Sequence, residues 1–248
     1  MKRSAGPFAT ISTATSTVAM LAALAFSTLS SPSKAADPAD LQRLLETGSC
    51  ASCDLTGADL SSADLSKANL AESDLSGANL NGAKLNGANL TGANLSKASL
   101  IDTRLHGAVL TNANLSRADL SLAGLVIADL QDANLSNANL LGANLDSANL
   151  HRAILDGAQQ TMAGLLSISQ GHGAGYPMDV YGINFRDANL TDASLQRANL
   201  SGSDLQGASL VNADMRNARL EEANLSGVNT ENAQIEGTIL MGRTVETL

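Results

Sequence analysis

Leu55-Thr56-Gly57-Ala58-Asp59-Leu60-Ser61-Ser62-Ala63-Asp64-Leu65 decides the fold, because a five-residue unit, A(D/N)LXX, recurs in it with the large apolar residue in fixed phase. Every fifth residue from Leu55 to Leu155 is Leu, twenty-one in succession, and the residue two before it is Ala in eighteen of those units. On an α-helix a five-residue step turns the side chain by about 140°, so these leucines would share no face. In extended backbone, residues two apart point to the same side, which puts each Ala and Leu together. The three residues left in each unit are mostly Gly, Asn, Asp and Ser, all turn formers. Each unit is therefore a short strand and a corner. One large and one small inward side chain cannot bury themselves alone, so successive turns must stack and line up their leucines in columns.

This run resembles the pentapeptide-repeat proteins, and the resemblance covers nearly all of the chain after its leader. It implies an all-β architecture, a right-handed quadrilateral β-helix with four pentapeptides per coil and the Leu and preceding Ala facing inward. Units centred on Leu55 to Leu155 and on Val180 to Val245 then make about nine coils. The ends of such a stack need covering. Asp37-Pro38-Ala39-Asp40, followed by Leu41, Leu44, Leu45 and Gly48, reads as a short capping helix before the first coil. At the other end the pattern decays through Thr230, Ile235, Leu240 and Val245, either as a cap or as a self-association surface that would make a homodimer. The expected layout is a signal peptide over 1–35, the capping helix and Cys-x-x-Cys over 36–52, repeats over 53–159, an interrupting loop over 160–177, and repeats with a cap over 178–248.

Lys2 and Arg3 precede an apolar run from Val18 to Phe26, and small residues stand at Ser33 and Ala35, the pattern of a secretory signal peptide. Cleavage after Ala35 leaves 213 residues with a formal charge of -12. The apolar run is too short to span a bilayer, so no stable membrane insertion is expected once it is removed. Cys50 and Cys53 abut the first repeat. In an exported chain they are expected to form a structural disulfide tying the helix to the first coil, because the βαβ setting of a redox Cys-x-x-Cys is missing. Similar leaders precede the repeats of exported cyanobacterial relatives, so the resemblance points to the periplasm or the thylakoid lumen.

Residues 160–177 break the rhythm: Gln160 replaces the central Leu, and Gly171-His172-Gly173-Ala174-Gly175-Tyr176-Pro177 follows. Ordered loops of this length are more often functional than connecting. The aromatics after the leader, Tyr176, Tyr181 and Phe185, gather here, as a plug or a contact site, with His172 beside them. Given four units per coil, Ile101, Leu122 and Leu141 point outward from one stack, with Val126 and Ile127 around the corner. These five form a candidate interaction patch, either for a protein partner or as the seat of Leu165, Leu166 and Ile168 from the loop.

Other chemistries find little footing. The 15 Lys and Arg against 24 Asp and Glu, with no basic cluster, argue against direct nucleic-acid binding. Catalysis needs unlike polar groups converging in a concave site, and His106, His151 and His172 do not converge, so no catalytic, metal or cofactor site is assigned. The Asp residues before the central Leu read as a solvated surface. The expectation is a non-enzymatic exported solenoid serving as a protein-interaction scaffold. The alternative is an acidic DNA-mimic inhibitor of an enzyme such as gyrase, as in the best-understood relatives. The signal peptide and the mixed column Asp54, Asp74, Asn94, Asn114, Asn134 count against it.

Overall fold

The computed structural model describes residues 35–160 and 182–240, together with the backbone of 243–245. Bridges between residues twenty apart run the length of the stack, all parallel: Asp54 with Asp74, Asp74 with Asn94, Asn94 with Asn114. Twenty residues are four five-residue units. Asp74 N donates to Cys53 O of the coil before at 2.8 Å and Leu75 N to Asn94 O of the coil after at 2.7 Å, so the backbone pairs with the coil on either side. The central Leu and the Ala before it are almost wholly buried throughout the middle of the stack, as at Leu120 and Ala118.

The corners follow from the same chemistry. Ala58 N donates to Leu55 O at 3.0 Å across each turn, and the third turn residue has positive φ, such as Gly57 at 64°. A type II turn demands that conformation, which explains the Gly, Asn, Asp and Ser of the sequence. The Asp or Asn before each Leu closes the turn from the side: Asp74 Oδ1 accepts from Ser76 N at 3.0 Å. It also builds ladders between coils, as where Asn94 Nδ2 donates to Asp74 Oδ1 at 3.0 Å and Asn114 Nδ2 to Asn94 Oδ1 at 3.2 Å. These acids and amides thus hold coils together, a more specific role than the solvated surface expected of them.

The rhythm survives the interruption. Asn139 is bridged to Gln159, but Asn144 pairs with Asn184, Asn149 with Asn189 and Ile154 with Ser194, each forty apart. The register thus skips one coil's length, twenty residues, and the second part resumes in the original phase, with Ile183 and Phe185 buried in inward slots.

Both ends differ in detail from the sequence expectation. The bridge between Ser49 and Asn69 makes Cys50, not Leu55, the first central residue. Helix α1, Pro38–Thr47, starts from Asp37, whose carboxylate accepts from Ala39 N at 2.8 Å, and stops at Gly48 with φ 66°. It buries Leu44 on the core. Asp37 N donates to Asp54 O at 2.9 Å, and Asp40 Oδ2 accepts from Asp54 N at 2.8 Å, so the helix supplies the edge partners that a preceding coil would. Asp40→Ala removes that acceptor. The expected result is a loss of about 1–2 kcal/mol, read as faster amide exchange over 49–58 with the middle coils unchanged. At the far end β1, Thr238–Leu240, pairs antiparallel with β2, Arg243–Val245. Val245 therefore lies in a hairpin opposite Thr238 and not in a further repeat, because a chain that reverses after Leu240 cannot continue the coil. Among the described residues no helix is long and apolar enough to cross a membrane.

Candidate functional site

The stack sorts the five patch residues by corner position. The first corner residue lies against the coil wall and the second projects outward. Ile101 and Leu141 occupy first positions and are buried, at 3% and 6% exposure, in one column with the buried Ser121. Asn81 reaches over this column, its Oδ1 accepting from Ile101 N at 2.9 Å and from Ser99 Oγ at 2.7 Å. Leu122 and Val126 are half-buried, and only Ile127 is open, at 53%. The five do not make one exposed patch.

What is exposed lies one corner further on. Val109, 38% exposed, takes a slot that elsewhere holds mostly Asp, Asn or Ser, and Ile127 extends over Gly107, its Cδ1 3.9 Å from where a Cβ on that glycine would stand. Val109, Val126 and Ile127 surround Gly107 in adjacent coils. The signal for Val109 was present in the sequence as a departure from the Asp/Asn rule, as it was for the exposed Ile154. Ile127 also has φ 51°, the one β-branched residue among the described non-glycine residues with positive φ. That conformation is strained for a branched Cβ. Ile127→Asn is expected to raise stability by about 0.5–1 kcal/mol, seen as a higher Tm, since Asn tolerates positive φ.

Nothing described resembles a reacting centre. The carboxyls that depart from their ordinary values all move down. Asp64 is lowered chiefly by the Ser66 hydroxyl, Asp132 by the Gln131 amide, Asp214 by Arg216 and Glu221 by Arg219. A general acid needs the opposite shift. His151 Nδ1 lies 3.1 Å from Thr191 O and 3.8 Å from Asp192, while His106 stands exposed on another face. Phe185 is core. His172, Tyr176, Tyr181, Leu165, Leu166 and Ile168 lie outside the described residues.

Cys50 and Cys53 are bonded, with Cα atoms 5.4 Å apart, and both are buried. They stand where other units have Leu and the next unit's Ala, so the bond staples the corner of the first coil. The helix is tied down separately, through Asp37 and Asp40. Asp40, Cys50 and Cys53 bring a carboxylate oxygen and two sulfurs within 4.8 Å of one another. The sulfurs are spent on each other, and the Asp40 carboxylate meets Arg43 at 2.6 Å and Asp54 N, so the cluster acts as a covalent and ionic clasp.

Against known proteins, the chain matches the sequence profile "Pentapeptide repeats" in eight copies, over residues 53–92, 88–123, 128–159, 183–221 and 203–242. A comparison with curated proteins gives no match. Among solved structures it is similar to HetL of the cyanobacterium Nostoc, a pentapeptide repeat protein involved in heterocyst differentiation regulation. The identity is 33%, over 77% of this chain and 85% of that one, with a TM-score of 0.47. A pentapeptide repeat protein of the Arabidopsis thaliana thylakoid lumen is 31% identical over 43% of this chain and 72% of its own, with a TM-score of 0.39. QnrB1, a plasmid-mediated fluoroquinolone resistance protein, is 19% identical over 63% of this chain and 82% of its own, with a TM-score of 0.36. With the five-residue unit read from the sequence, its twenty-residue pairing seen in the backbone and the profile matched on both sides of the interruption, the chain belongs to the pentapeptide repeat family and folds as a right-handed β-helix.

Proposed function

We propose that this protein is a non-enzymatic, exported β-solenoid of square cross-section and about nine coils that works as a protein-binding module. The observation that carries the reading is the corner of Val109, Val126 and Ile127. A strained and exposed isoleucine disfavours the free protein twice over, and a partner that covers it reverses one of those costs. Export rests on Lys2-Arg3, the apolar run and the small residues before Ala36, and it puts the partner in the periplasm or thylakoid lumen. The C-terminal end, where Leu225, Val228 and Leu240 are only partly buried, is the surface for a homodimer.

The DNA-mimic reading gains nothing from the register. The column Asp54, Asp74, Asn94, Asn114, Asn134 runs on through Ile154, Ser194, Asp214 and Gln234, so five uncharged rungs separate Asp74 from Asp214 and no continuous acidic column forms. The test is affinity capture from the native exported compartment with the mature protein and with Ile127→Asn, both shown folded by circular dichroism. A partner held by wild type and lost by the variant supports the reading. Capture that ignores Ile127 moves the working surface elsewhere, and no capture at all contradicts a protein-binding role.

A further inference from the structure

The clasp at the N-terminal end holds each sulfur of Cys50–Cys53 against a group suited to its reduced form. Arg43 Nη2 lies 2.7 Å from Cys53 Sγ, where a guanidinium stabilises a thiolate. The Asp40 carbonyl oxygen lies 3.1 Å from Cys50 Sγ, where a thiol would donate to it. A bonded sulfur accepts from Arg43 only weakly and cannot donate to Asp40 O at all, so both contacts suit the reduced pair better than the disulfide. We propose that Cys50–Cys53 is a redox site, reduced by an external dithiol, with Arg43 as the positioning residue that stabilises the reduced pair. In the exchange the dithiol's thiolate attacks Cys50 Sγ, and the bond between the two cysteines breaks with its electrons leaving on Cys53. The second thiol of the reductant then displaces Cys50 and closes the reductant's own disulfide. Cys50 ends as a thiol bonded to Asp40 O, Cys53 as a thiolate beside Arg43, and the remaining proton goes to solvent. Both sulfurs are buried, so the exchange requires local opening of the first coil at its exposed corner residues Ala51 and Ser52.

The charged groups facing Cys53 act in opposite directions. Arg43 favours the thiolate, while the Asp40 carboxylate, 2.6 Å from Arg43, competes for it. Asp54 is turned away, its carboxylate accepting from Thr56 Oγ1 at 2.7 Å. The mature protein, equilibrated with mixtures of reduced and oxidised dithiothreitol and trapped by alkylation, gives the midpoint ratio of reductant to oxidant. At a pH above the ordinary thiol range, Arg43→Leu is expected to need about tenfold more reduced dithiol, matching one pKa unit at Cys53, and Asp40→Asn several-fold less. The alkylation rate of Cys53 should titrate below the ordinary thiol range near 8.5 in wild type and return toward it in Arg43→Leu. Arg43→Lys keeps the charge, should stay near wild type, and replaces the leucine variant as the deciding comparison with Asp40→Asn if that variant does not fold. Equal midpoints in wild type, Arg43→Leu and Asp40→Asn overturn the proposal. So does a wild-type disulfide that is reduced only after the protein unfolds.

Discussion

Gln160→Leu, although it restores the repeat's own residue, is expected to destabilise the protein by about 2–4 kcal/mol. In a regular unit the central residue's N–H and the N–H two places on donate to the next coil, as Leu155 N does to Ser194 O and Gly157 N to Gln196 O. Gln160 is the last described residue before the register skips. The side-chain amide serves instead: Gln160 Nε2 donates to Asn199 O at 2.9 Å and to Ser201 O at 3.2 Å, and meets the buried Ser203 Oγ at 3.2 Å. One amide with two hydrogens thus covers both acceptors that backbone donors cover elsewhere. Leucine would fill the space and leave those carbonyls without it, and acceptors stranded in a packed stack cost about 1–3 kcal/mol each. Gln160→Glu, which removes the donors and points a carboxylate at two carbonyls, should be worse still. Urea unfolding of the three proteins ranks them. A leucine variant as stable as wild type would show that the amide is incidental.

The second large effect depends on place. Leu115 and Leu225 carry the same side chain in the same slot of the unit, but Leu115 is wholly buried and Leu225, in the last coils, only partly so. Leu115→Ala is expected to cost about 2–5 kcal/mol, because neighbours fixed above and below cannot collapse into the void. Leu225→Ala should cost less, about 1–2 kcal/mol, since the removed atoms are partly in water already. Thermal denaturation of both variants checks the gradient. Equal losses would mean that the C-terminal end is covered in solution, as it would be in a homodimer.

The architecture was legible because the repeat states it: Leu55 to Leu155 in unbroken phase sets the strand and the corner, and Asp37-Pro38 with Gly48 sets the helix. Even the role of Cys53 as a stand-in for Ala could be read from phase alone. The surface was less legible. Ile101 is buried and its N–H is held by Asn81, twenty residues away, and no local pattern carries either fact. Gln160 reads as a defect in the sequence and works as a seal in the structure, because its partners at 199–203 become neighbours only after one coil's worth of chain is skipped. Val109 is legible only as one apolar residue in the slot that other units mostly give to Asp, Asn or Ser.

The central claim is that residues 184–240 rest directly on the first stack, in phase, with one coil's length left out. Paired cysteines test it. Asn149 and Asn189 face outward in bridged positions, and parallel neighbours about 4.8 Å apart lie within the reach of a disulfide. In the Asn149→Cys, Asn189→Cys variant, mild oxidation should close an intramolecular bond, seen by mass spectrometry of the trapped monomer. The pair Asn149→Cys with Ser169→Cys, twenty apart, should stay open. Closure of the second pair and not the first would contradict the skipped coil, and with it the seal assigned to Gln160.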